Sequence, residues 1–82
     1  MKRVAFRPHA VKDLERLEDH DRSLVEAAID RFARTGVGDV KMLAGQVRQY
    51  RLRAGNWRVR FVYEPSDLIR VLHIRNRREA YR

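Results

Sequence analysis

The chain predicts an α+β domain: a short N-terminal strand, two helices, then a three-stranded antiparallel meander, forming one sheet with the helices on one face. Three observations carry this. Apolar residues between Pro8 and Ala33 recur at helical spacing, and those after Val47 alternate at the period of a strand. Turn-forming residues punctuate the second half at Ala54-Gly55-Asn56 and Glu64-Pro65-Ser66-Asp67. With 82 residues, the chain fits a single domain over 1–82, near the small end of what folds unaided.

Val4 and Phe6 alternate with Arg3, Ala5 and Arg7, a first strand that Pro8 stops. Ala10, Val11, Leu14 and Leu17 then share a helical stripe, and proline suits its first turn. His20-Asp21-Arg22-Ser23 interrupts that stripe, and Asp19 or Asp21 is placed to cap the second helix. Leu24, Val25, Ala28, Ile29, Phe32 and Ala33 give the cleanest helical face, and Gly36 is placed to end it in a left-handed turn. Gly36-Val37-Gly38-Asp39 reads as a loop, after which Val40, Met42 and Leu43 fold back onto the core before Gly45. Strands follow at about 47–54, 57–64 and 68–75. The first two are antiparallel neighbours across a short turn. Ile69, Val71, Leu72 and Ile74 are apolar on both faces, which makes the third strand the central one.

Charge is divided unevenly along the chain. Residues 47–82 hold ten arginines, no lysine and three acids, so they carry +7 of the net +8. Residues 1–46 carry nine basic and eight acidic side chains. There is no cysteine, which excludes disulfides, thiolate zinc sites and thiol nucleophiles. The start lacks the apolar stretch of a signal peptide, and no apolar run approaches a bilayer span. A cytoplasmic protein with no membrane partner is the expectation.

If Tyr50, Leu52, Val59, Phe61 and Tyr63 face the helices, then Arg51, Arg53, Arg58 and Arg60 face the opposite way. Like charges directly opposite on a sheet repel, so such a cluster costs stability unless an anion fills it. Arginines also solvate ordinary exposed faces, but a solvating face mixes both signs and this one has almost no acid. Guanidinium is a permanently charged planar fork that fits phosphate. Nucleic acid or an acidic protein is the partner this face suits.

Two motifs, Tyr50-Arg51-Leu52-Arg53-Ala54-Gly55-Asn56-Trp57-Arg58-Val59 and the terminal Arg77-Arg78-Glu79-Ala80-Tyr81-Arg82, resemble the RelE/ParE superfamily of toxin–antitoxin systems. A first strand ending in Phe-x-Pro and two helices extend the resemblance over nearly the whole chain. It implies a toxin held inactive by a RelB-like antitoxin. RelE-type members cleave messenger RNA on the ribosome, whereas ParE-type members share the fold, poison DNA gyrase and lack the basic set. The family's functional positions carry over to Arg51, Arg53, Arg58, Arg77 and Tyr81, and basic residues at the matching places put the chain on the RelE side. Arg75 and Arg78 are substitutes for Arg77 if the tail alignment slips. Two departures stand out. The best-known member has lysines where this chain has Arg51 and Arg53, and Asn76 stands where many relatives have histidine. Arginine does not lose its proton as lysine can, so a general-base role at those places does not transfer.

RNA can be cut without a metal or other cofactor when the neighbouring 2′-hydroxyl attacks the phosphate. The enzyme then positions the backbone, neutralises developing charge and moves protons. Arg58 and Arg77 are expected at the transition-state phosphate, both facing solvent or substrate, with Arg51 and Arg53 holding backbone. Arg48, Arg60, Arg75 and Arg78 extend the RNA-binding face. Tyr81 is the proton-transfer or base-stacking candidate, and His73 the other possible acid/base group. Glu79 reads as a solvent-facing charge and Trp57 as hairpin packing. His9 and His20 lie on the helical half, and no His/Asp/Glu spacing suggests a metal. An antitoxin with an acidic segment fits a face of this charge. The rivals are a gyrase poison and a degenerate toxin that binds RNA without cutting it.

Overall fold

A computed structural model describes residues 1–45 and 48–77. The elements in order are β1 (Arg3–Phe6), α1 (Pro8–Arg16), α2 (Asp19–Thr35), β2 (Asp39–Met42), β3 (Gln49–Ala54), β4 (Trp57–Glu64) and β5 (Leu68–Asn76). The five strands form one mixed sheet in the order β1-β5-β4-β3-β2. The α+β class and the helices on one face are as expected. The meander is longer than expected, because 39–42 pairs antiparallel with β3 as a fourth strand. β1 joins the far edge parallel to β5, so the central strand is β4 and not, as expected, β5, which lies between β1 and β4.

Pro8 occupies the first turn of α1, where its missing N–H is not needed. Helix α2 begins at Asp19, with His20-Asp21-Arg22-Ser23 inside it rather than interrupting it. Glu18 is its N-cap residue and makes no side-chain cap bond, while Asp19 and Asp21 place negative charge in the first turn. Arg22 reaches back to the end of α1, donating to the carbonyls of Leu14 (3.3 Å) and Leu17 (2.9 Å). Gly36 ends α2 at φ 76, as the sequence predicts, its N–H donating to Phe32 O at 2.8 Å.

The core lies between the helices and the sheet. Ala10, Leu17, Val25, Ile29, Phe32 and Ala33 cover Leu52, Ala54, Val59, Phe61, Ile69, Val71 and Ile74. Val40 packs against this core, but Met42 is 61% exposed, so that segment is an edge strand with only one face covered. Tyr50 stacks on Phe61 at 5.6 Å between ring centroids, and the exposed Tyr63 meets Phe61 edge-on at 5.4 Å.

Ile69 and Val71 face the core at odd positions, whereas Ile74 does so at an even one. A β-bulge makes the change of phase: Arg60 pairs with His73 and Phe61 with Val71, leaving Leu72 as the extra residue. The apolar run 69–74 is therefore not apolar on both faces throughout. It carries a one-residue shift that turns His73 and Arg75 onto the face away from the helices.

Candidate functional site

Strand pairing assembles the site. Arg51 lies opposite Arg60, and Arg53 opposite Arg58, as alternation predicts. Arg58 also pairs with Arg75, and Arg60 with His73. Arg58 thus sits on the central strand with a cationic neighbour on each side. The sequence places it at a solvent-facing position, yet it is only 7% exposed, the one buried charged residue among those described. It lies on the central strand between Arg53 and Arg75, and alternation reports the side of a strand but not the depth.

A cavity of about 260 Å3 opens on this face, lined by Lys41, Arg51, Arg58, Arg60, His73 and Arg75 together with Met42, Leu43 and Ala44. Lys41 was not anticipated. It pairs with Arg51 from β2, and the alternation Val40-Lys41-Met42 beside Asp39 was the available signal. Among the described residues, three buried nitrogens of the lining side chains have no hydrogen-bond partner: Nε of Arg51, Nη1 of Arg58 and Nδ1 of His73. Among the described residues, only one carboxylate approaches these arginines, Asp39 at 3.4 Å from Arg51. Arg70, by contrast, is held by both oxygens of Glu64 at 3.1 Å and does not line the cavity.

Desolvation pushes the His73 imidazole down to about 4, with Arg75 and Arg60 adding to the effect; Asp13 opposes it and His9 adds slightly. His73 is therefore neutral at pH 7. Asp13 fixes the surroundings by accepting the Ile74 N–H at 2.9 Å, which ties α1 to β5 next to Arg75, and it pairs with His9 at 3.5 Å.

The expected residues divide into groups. Arg51, Arg58, Arg60, Arg75 and His73 come together. Arg53 is on the same face but exposed, its Nε donating to Gly55 O at 3.2 Å, beside the β3–β4 turn. Arg77 is exposed at that same end, its backbone N–H donating to Asn56 O at 2.7 Å, and it does not line the cavity. Arg48 is exposed at the start of β3 with φ 55. Arg78 and Tyr81 lie outside the described residues, as does Glu79.

Chemically, the arrangement offers two buried guanidinium donors, further cations around them and a neutral imidazole in one wall. A tetrahedral oxyanion carries acceptors on several sides and satisfies such donors together. Leaving buried donors unmade costs about 1–3 kcal/mol each, more for charged groups, so these nitrogens weigh against the stability of the unliganded fold.

Known proteins share this fold. The family model described as "ParE toxin of type II toxin-antitoxin system, parDE" matches residues 4–81. Compared by sequence with curated proteins, the chain matches none. Among solved structures, it is similar to the toxin of the RelB–RelE complex from Methanococcus jannaschii, with 25% identity, 93% of each chain covered and a TM-score of 0.75. It is likewise similar to the RelE–RelB complex from Pyrococcus horikoshii OT3: 26% identity, 93% and 94% covered, TM-score 0.74. The E. coli RelBE complex shares the fold at 15% identity, 93% and 96% coverage and TM-score 0.73. With the fold shared from the first strand to the last and the family model spanning nearly its whole length, the chain belongs to the ParE toxin family of type II toxin–antitoxin systems, within the RelE/ParE superfamily.

Proposed function

We propose that this toxin is an endoribonuclease that cuts messenger RNA, on the ribosome, and so inhibits translation. The observation that carries the reading is the pair of buried, unpartnered guanidinium nitrogens of Arg51 and Arg58 in a cavity ringed by Lys41, Arg60 and Arg75. In the reaction, the 2′-oxygen of one nucleotide bonds to phosphorus as the bond to the 5′-oxygen of the next breaks. A 2′,3′-cyclic phosphate and a 5′-hydroxyl result. Arg58 and Arg51 hold the non-bridging oxygens as negative charge accumulates, the role in which one fixed donor is worth about 10²–10³ in rate. Neutral His73 is placed to take the 2′-hydroxyl proton. The leaving 5′-oxygen takes a proton from Tyr81, the tail residue the family motif assigns. Arg53, Arg77, Arg48 and Arg78 serve the RNA backbone on either side.

A site rich in clamps and poor in bases is slow alone, and the ribosome supplies substrate orientation. The M. jannaschii and P. horikoshii relatives were solved as toxin–antitoxin complexes, which supports a RelB-like antitoxin as partner. A net charge of +8 fits an acidic segment in that antitoxin. The rival is a gyrase poison, favoured by the description of the matching family.

Brief induction in cells separates the two. The ribonuclease reading expects transcripts cut at discrete positions, with new 5′-hydroxyl ends appearing before any DNA breakage. Intact transcripts accompanied by DNA double-strand breaks would establish the gyrase reading instead.

A further inference from the structure

Arg60, His73 and Arg75 form a ridge along the anion cavity, and beyond it lies a second groove of about 360 Å3 that shares those three side chains. The cation that this groove adds is Arg7, exposed at the junction of β1 and α1. Although Arg7 is the N-cap residue of α1, its side chain makes no cap bond. Among the described residues, none of Arg7, Arg60 and Arg75 forms an ion pair. The Glu64 carboxylate feels Arg7, but both of its oxygens are held by Arg70. Three accessible guanidiniums without a counter-charge of their own suit an anion from outside.

Strand register sets these cations in a row across the sheet. Lys41, Arg51, Arg60 and His73 lie opposite one another on β2, β3, β4 and β5. Arg7 follows Phe6, the last β1 residue paired with β5, and its N–H donates to Val71 O at 2.9 Å. Neighbouring strands are about 4.8 Å apart, which puts β3 and β1 about 14 Å from each other. The oxygens of one phosphate do not span that distance, so an anion held by Arg51 and Arg58 leaves Arg7 unoccupied. A nucleic-acid backbone, with a phosphate at every nucleotide, reaches both places. Leaving the cavity over the shared ridge, it meets the groove next.

We propose that this groove is a second phosphate subsite, in which Arg7, with Arg60 and Arg75, holds the RNA phosphate adjoining the one in the first cavity. The proposal rests on the ribonuclease reading and gives the substrate a direction. Its backbone crosses the strands from β3 toward β1 instead of following one of them.

The test uses purified full-length toxin and two fluorescent 2′-O-methyl oligonucleotides without terminal phosphates, a dinucleotide and a hexanucleotide, over a range of salt. Methylation blocks the attacking 2′-oxygen, so neither probe is cut. Arg7→Gln should weaken the hexanucleotide about fivefold at low salt and lower its log–log salt slope by about 0.7, one phosphate contact. The dinucleotide, with a single phosphodiester for the first cavity, should bind as it does to wild type. Arg7→Lys keeps the charge and should keep the wild-type slope. Arg31→Gln, which removes an exposed charge from α2, should leave both probes within about twofold of wild type. A hexanucleotide that binds Arg7→Gln as tightly as wild type overturns the subsite and leaves Arg7 to an acidic protein. Equal weakening by Arg31→Gln, or by Arg7→Lys, overturns it as well. In each of these cases Arg58→Met still weakens both probes if the phosphate cavity stands. Binding of neither probe by wild type, even at low salt, overturns the ribonuclease reading and the subsite with it.

Discussion

Arg58 is where sequence and structure agree on side and differ on depth. Its position opposite Arg53 and Arg75 follows from strand alternation, but its burial comes from lying on the central strand with a neighbour on each flank. A buried cation that lacks a partner destabilises the free protein. Arg58→Met keeps the stem and removes the charge. It should raise Tm by roughly 4–8 °C, about 1 kcal/mol for a domain of this size, as read by calorimetry. A lowered Tm would show instead that the guanidinium is satisfied within the fold. His73 gives a second prediction at this scale. Its imidazole titrates near 6.5 when unfolded and at about 4 when folded, so the unfolded chain binds more protons between those values. Stability is therefore full above about pH 6.5 and falls as the pH drops toward 4. The loss is on the order of 1–2 kcal/mol once the water reaching this half-buried ring is allowed for. His73→Gln should flatten that slope in denaturant melts. Below it, the Glu64 carboxyl, held low by Arg70, adds its own acid sensitivity in both proteins. Arg53 and Arg77 match the family motif by position, yet alternation could not show that both lie beside the β3–β4 turn, outside the cavity.

At the level of elements, the sequence reads well where apolar spacing is long and poorly where geometry depends on a few residues. The stripe from Leu24 to Ala33 revealed α2 but not its first turn, because residues 19–23 contain no apolar side chain. That turn is held by Arg22 folding back over the end of α1, with Asp19 at 3.3 Å on its outer side. A cation on the last carbonyls of a helix stabilises it. Arg22→Ala should cost about 1–2 kcal/mol, roughly 5–15 °C in Tm, without changing RNA cleavage, since the helices lie across the sheet from the cavity. Equal loss of cleavage and stability in that variant would mean that helix packing sets the site. Strand β2 was hidden because its four residues are too few for a period to declare itself, and only Val40 is drawn into the core. It nevertheless supplies Lys41 to the cavity and places Asp39 beside Arg51. The bulge at Leu72 was hidden for a different reason. A one-residue phase shift and a strand apolar on both faces look alike in sequence, and only cross-strand register separates them.

Across the whole molecule, function is divided between the two faces of one sheet. The helical half is nearly neutral and packs the core, while the half after residue 46 carries +7 and presents Arg51, Arg58, Arg60 and Arg75 on the opposite face. That division is legible from composition alone, and together with the paired motifs it is enough to point to the family. Composition does not show that the charge surrounds a cavity with unpartnered buried donors in its wall. It is that cavity, rather than net charge, which favours a phosphate at the centre of the site. Among the described residues no helix is long and apolar enough to cross a membrane. The central claim is that this cavity holds the scissile phosphate of an RNA. Programmed ribosomes carrying an end-labelled messenger, treated in parallel with wild-type toxin and folded Arg58→Met, test it most directly. Wild type should release fragments ending in a 2′,3′-cyclic phosphate and a 5′-hydroxyl, and Arg58→Met should do so about 10²–10³ more slowly. Equal cutting by both proteins, or an uncut messenger with wild type, would contradict the account.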